Sequence, residues 1–330
     1  MLKFIYKNIT FQWFVFLGLL GFSIYQIVTQ TQLENQEGSV FFYINFVYFF
    51  SQHQFFGKGI IIVVLLLQLL LLQYYYSENE YSTKNSLLPG CFYLSILLLT
   101  KSLITISPFF FTLFFFLIII CIDFTENTVK IKNNLFWVGM LIALATCIDI
   151  SALILLVLLM ATLIINQFSR IKEFGVLFFG FALIYFYFFS YHFFVDNLEN
   201  WLSSFTQIKI LGILKSKIPN LTLSIISLLV LAIIYLFLIV KFKLLSESKV
   251  VIQRKRIITL NTRAFLIIAC IFLSGSTYPF FLGYLFIHIS IYMAMLAQEK
   301  SPLYIVNELI TITILIALWL CNLTFPILTQ

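Results

Sequence analysis

The side chains able to act as a general base, a metal ligand or a phosphate-positioning group gather in two polar stretches of the chain. The first, residues 29–58, holds Glu34, Glu37 and His53; the second, residues 191–220, opens with His192, Asp196 and Glu199; Asp149 is expected on the same outer face. Carboxylates and imidazoles at a membrane surface can bind a cation or take a proton from a substrate whose lipid tail stays in hydrocarbon. In such a scheme Glu34 or Glu37 is the base or metal ligand, and His192, Asp196 or Glu199 positions a phosphate. An Asp-Asp, Asp-x-Asp or Glu-Asp pair would carry more weight, and residues 29–58 contain no aspartate. His288 is the one histidine deep inside an apolar run. Its bland role is a helix-to-helix hydrogen bond, and its sharper role a proton relay.

Other chemistries lack their motifs. There is no Walker loop, GxSxG, HExxH or GxGxxG in the chain. The five cysteines (Cys91, Cys121, Cys147, Cys270 and Cys321) are odd in number and show no CxxC spacing, so neither a disulfide framework nor a zinc site is expected. The three histidines never occur as Glu-x-x-His, which a di-metal bundle site would need. No metal and no cofactor is expected.

The elements that must position these residues follow from composition. Of 330 residues 62% are hydrophobic and only 10% charged, whereas a soluble domain is about 45–50% apolar and about 25% charged. Too few charges exist to solvate a globule, and too much apolar mass exists for disorder. The runs are continuously apolar, as in residues 60–72 and 153–165, rather than alternating, which selects helices over a β-barrel. The sequence therefore predicts an all-α, polytopic transmembrane helical bundle of about 11 spans, forming a single integral membrane domain over 1–330. The spans are Phe11–Val28, Gly59–Tyr76, Leu87–Leu103, Pro108–Ile122, Leu135–Cys147, Ser151–Ile165, Phe174–Tyr191, Leu221–Val240, Ala264–Leu273, Pro279–Ala297 and Leu303–Leu320. Residues 135–165 are divided because Asp149 at mid-bilayer would cost about 2.5–3.5 kcal/mol.

With the N-terminus in the cytoplasm, 15 of the 20 basic residues fall on the cytoplasmic side and 5 on the outer side, as the positive-inside bias requires. The expected location is a bacterial inner membrane. The first span has no small-x-small cleavage site after it and is read as an anchor. Among the loops, residues 241–263 carry Lys241, Lys243, Lys249, Arg254, Lys255, Arg256 and Arg263 against Glu247. Such a cluster beside a span contacts anionic lipid headgroups at about 1 kcal/mol per residue. A nucleic-acid site would need a folded basic module with stacking aromatics, and none is present. In the second outer segment Phe194, Leu198, Trp201, Leu202 and Phe205 recur at helical spacing, predicting an interfacial amphipathic helix.

From about Lys84 to Lys243 the chain resembles an uncharacterised family of polytopic inner-membrane proteins of Bacteroidota, sometimes mislabelled as carotene-cleaving oxygenases. The residues carrying this are Asn85-Ser86-Leu87-Leu88-Pro89-Gly90, Ser107-Pro108, Phe136-Trp137-Val138-Gly139 and the stretch Asp196–Trp201. The oxygenase label would imply four iron-binding histidines, and the chain has three. The order of long outer loop, short helical hairpins and second outer segment also looks like the membrane half of polyprenyl-phosphate-sugar glycosyltransferases. That resemblance implies a site on the outer face, at the carboxylates named above. The expected function is a non-catalytic subunit or scaffold of a cell-envelope membrane complex, with the bilayer and other membrane subunits as partners. The alternatives are such a glycosyltransferase, and a proton-coupled transporter using His288.

Overall fold

The structure is a computed structural model, and it describes residues 8–29, 53–79, 81, 86–100, 106–123, 131–148, 152–165, 171–196, 251–274, 278–298 and 311–316. Among the described residues every element is helical. In chain order the helices are α1 (Ile9–Thr29), α2 (Gln54–Glu78), α3 (Leu88–Thr100), α4 (Ile106–Asp123), α5 (Ile131–Ile148), α6 (Leu153–Ile165), α7 (Ile171–Phe194), α8 (Val251–Ser274) and α9 (Tyr278–Gln298).

By length and composition Ile9–Thr29, Gln54–Glu78 and Lys172–Phe194 can each cross a membrane, while 88–99, 112–121, 131–147 and 283–298 form shorter apolar helices. The count of eleven spans is not reached among the described residues. The expected span Leu221–Val240 lies outside them, as does most of Leu303–Leu320. Residues 135–165 do form two helices, α5 and α6.

The helix ends are tied together by polar side chains. Ser86 Oγ accepts from the Leu88 amide at 3.3 Å, and Gln12 Oε1 on α1 accepts from the Leu87 amide at 3.0 Å. Two of the orphan donors at the start of α3 are thereby satisfied. Pro89 falls in the first turn, where its missing N–H costs nothing. Gln73 on α2 donates to the Ser86 carbonyl at 2.8 Å. Tyr76 on α2 donates to Gln298 Oε1 on α9 at 3.0 Å, and Arg256 on α8 donates to the Glu78 carbonyl at 3.1 Å. The starts of α1, α3 and α8 and the ends of α2 and α9 thus share one end of the bundle. At the other end Lys58, in the first turns of α2, donates to the Val28 carbonyl near the end of α1 at 2.8 Å.

Two features govern the packing. In α9, all thirteen residues from Tyr284 to Leu296 are buried, enclosed in part by α3, α4 and α8. Next, α5 and α7 run parallel and touch backbone to backbone. A Cβ on Gly139 would sit 2.2 Å from the Leu177 carbonyl oxygen, and one on Gly180 would sit 2.3 Å from that of Phe136. Farther along, Thr146 donates to the Ala143 carbonyl at 2.7 Å and so accepts from the Tyr185 hydroxyl at 2.8 Å. Close approach through small residues replaces the hydrophobic driving force that lipid cannot supply.

Candidate functional site

Helix α8 is longer than the expected span. The apolar run begins only at Ala264, but the helix starts at Val251 and carries Arg254, Lys255, Arg256 and Arg263 within it. Its buried positions Ile257, Leu260, Asn261, Ala264 and Ile267 recur every three or four residues. Arg263 belongs to that face and is 1% exposed. The expectation that Arg263 reaches lipid headgroups from a loop is therefore corrected: the helical period turns it into the bundle. Arg254 is exposed. Arg256 is half-buried and engages the last turn of α2, where a cation also complements the helix dipole. Lys255 lies in α8, and Lys241, Lys243 and Lys249 lie outside the described residues.

One buried polar pair crosses the α8–α9 seam. The Tyr292 hydroxyl donates to Asn261 Oδ1. One turn away on α9 lies His288, which is buried. The His288 ring is 2% exposed, its Nδ1 stands 3.2 Å from the Tyr284 carbonyl oxygen, and the Tyr284 ring meets it edge-on at 4.2 Å between centroids. Tyr284, His288 and Tyr292 are spaced four apart and so share one face of α9. A second buried polar contact, Tyr93 to Gln68 Oε1 at 2.8 Å, ties α3 to α2. Ionisable residues buried at membrane depth are costly and rare, which makes the buried residues His288 and Arg263 the foremost site candidates. Sequence reasoning found His288, gave Arg263 a headgroup role in place of a buried one, and missed Asn261. The signal was available, because Asn261 and Arg263 fall on the apolar stripe once the helix is extended back to Val251.

The outer carboxylate grouping fares differently. Glu34, Glu37, Asp149 and Glu199 lie outside the described residues. His192 is part of α7 itself, which runs unbroken to Phe194, so it belongs to the spanning helix and not to a separate interfacial one. Asp196 ends that helix in the left-handed region, at φ 52°, with its amide donating to the Phe193 carbonyl at 3.3 Å. Aspartate is among the few residues that visit this region readily. His192 and Asp196 are four residues apart, and both sit at the C-terminal end of α7. His53, just before α2, is exposed. Among the described residues no group of three or more His, Cys, Asp or Glu could hold a metal ion. Comparison with family models, curated proteins and solved structures finds no match to this chain.

Proposed function

We propose that this chain is an integral inner-membrane protein, N-terminus cytoplasmic, that serves as a non-catalytic subunit or scaffold of a cell-envelope membrane complex. The observation that carries this reading is the distribution of burial. Helix α9 is enclosed along thirteen residues, while α1 and α7 turn large apolar side chains outward, among them Phe14, Phe22, Phe179, Phe186 and Tyr187. A solid centre with apolar flanks suits a protein that holds neighbours in place by its outer helices. The test is gentle detergent extraction with a photo-crosslinking residue at Phe186 or Tyr187. A defined partner in fixed stoichiometry is expected, and retained assembly and function in Glu34→Gln and Asp196→Asn. A lone monomer, or loss of function in these variants with assembly intact, would refute the scaffold.

A second reading has its own observation in His288, a buried ionisable residue of the kind a proton-coupled transporter uses. It expects His288→Gln to abolish substrate-dependent proton uptake into proteoliposomes. Uptake unchanged in that variant would remove it.

A further inference from the structure

The first turns of α5 and α7 bring two exposed lysines to one side of the glycine seam. Gly139 stands against Leu177, Gly180 stands against Phe136, and farther on Thr146 meets the Tyr185 hydroxyl, which fixes the register of the parallel pair. Lys132 lies seven residues before Gly139 and Lys172 eight before Gly180, about 10 and 12 Å back from the crossing. The two therefore reach nearly the same level. Lys132 shares a helix face with Phe136, four residues on, and Lys172 shares one with Phe179, seven residues on. The Phe136 and Phe179 rings meet across the seam at 6.1 Å between centroids, which sets both lysines on the same side of it. Both lysines are exposed, whereas Glu173, the one acid in these two first turns, is buried. By contrast Lys58 and Arg256 donate to carbonyls at helix ends, and Arg263 is buried.

Deeper along the pair lies an apolar floor. The rings of Trp137, Phe136 and Phe179 follow one another at 6.2 and 6.1 Å between centroids, and Trp137 and Phe179 are exposed. Gly175 falls between Lys172 and Phe179 on the same face, and a Cβ there would meet nothing within 4 Å. The surface of α7 is thus recessed one turn below Lys172 and rises again at Phe179. Two cations above an apolar recess select a ligand that is anionic at one end and apolar along the rest. A free phosphate satisfies the lysines but leaves the recess empty. A zwitterionic head brings an ammonium of its own, which the lysines repel. We propose that Lys132, Lys172 and the recess at Gly175 form a binding site for one anionic glycerophospholipid. Its phosphate diester sits between the two ammonium groups, and an acyl chain runs over Gly175 and Phe179. In the proposed orientation the starts of α5 and α7 face the cytoplasm, the side whose leaflet carries the anionic surface charge. The site needs neither a partner subunit nor a transported substrate.

The test uses the full chain in phosphatidylcholine bilayers, with Trp13→Phe, Trp201→Phe and Trp319→Phe leaving Trp137 as the single indole. Its fluorescence is quenched by dibrominated phosphatidylglycerol or dibrominated phosphatidylcholine, added at equal mole fractions. Phosphatidylglycerol is expected to quench first and saturably, with a preference of about fivefold for each lysine at the membrane surface. Lys132→Gln and Lys172→Gln should each lower that preference about fivefold, and the double variant should show none. Gly175→Leu keeps both charges but fills the recess, and should weaken the preference too. Arg254→Gln removes an exposed cation from α8 and should leave it unchanged. Quenching by phosphatidylcholine that stays the same in every variant shows that the fold is retained. The proposal is overturned if the two lipids quench alike in the parent, or if Arg254→Gln costs as much as either lysine variant. It is equally overturned if Gly175→Leu keeps the full preference, or if inorganic phosphate displaces the lipid, which would make the site one for a free anion.

Discussion

Asn261 and Tyr292 meet where neither can reach water, and each is buried in the α8–α9 seam. Removing the hydroxyl leaves an amide oxygen facing hydrocarbon, whereas removing both polar groups leaves an apolar contact. Hydrogen bonds between membrane helices contribute about 0.6 kcal/mol on average and up to about 1.7 kcal/mol. Tyr292→Phe is therefore expected to lower unfolding free energy by about 1 kcal/mol, measured by denaturant titration in bicelles, and adding Asn261→Leu to it should recover part of that loss. A double variant less stable than the sum of the singles would show that the pair does not act as a unit. Partners at this scale were not legible in the sequence. Nothing in the sequence marks Gln12, Gln68 or Asn261 as paired, because what each bonds depends on which helix lies opposite, and periodicity carries no such information.

At the scale of the helix, the apolar runs located α1, α2, α7 and α9 within a few residues, since about 20 apolar residues in a row have few alternatives to a helix. The division into α5 and α6 was legible too, because Asp149 interrupts the apolar run. Helix α8 was read too short for a related reason: a window that stops at charge cannot see a helix continuing through Arg254, Lys255, Arg256 and Arg263. The tight meeting of α5 and α7 was beyond reach, because Gly139 and Gly180 lie 41 residues apart in sequence and nothing local marks them as mates. That meeting makes a sharp prediction. Gly139→Ala and Gly180→Ala each drive a methyl onto a backbone carbonyl, which cannot rotate aside. Overpacking of this kind costs about 1–3 kcal/mol. A Cβ on Gly175, in the same helix as Gly180, would meet nothing within 4 Å. Gly175→Ala is thus expected to be neutral, or stabilising by about 0.5–1 kcal/mol through helix propensity. Thermal melting in one detergent compares the three. Equal losses for all three would mean that α5 and α7 are not in backbone contact.

For the whole molecule, the ties between helix ends fix which parts of the chain share a face of the membrane, whatever the compartment on either side. Gln12 with Leu87, Arg256 with Glu78 and Tyr76 with Gln298 gather one set of ends, and Lys58 with Val28 marks the opposite set. In the proposed orientation the first of these ends, which holds Arg254, Lys255 and Arg256, faces the cytoplasm, as the positive-inside bias favours. Single cysteines at Asn8 and Arg254, introduced with the five native cysteines replaced, are accordingly expected to react together with a membrane-impermeant maleimide. They should do so only after the cytoplasmic face is opened. A cysteine at Lys58 should react in intact cells, and one at Arg263 on neither side, because that position is buried. Asn8 and Arg254 reacting from opposite faces would contradict the arrangement of helix ends. Both reacting in intact cells would preserve that arrangement but invert the orientation, moving the end that holds Glu78 and Gln298 to the outside. Ready labelling at position 263 would mean that α8 does not turn this residue inward, and the burial of its cation within the bundle would be lost with it.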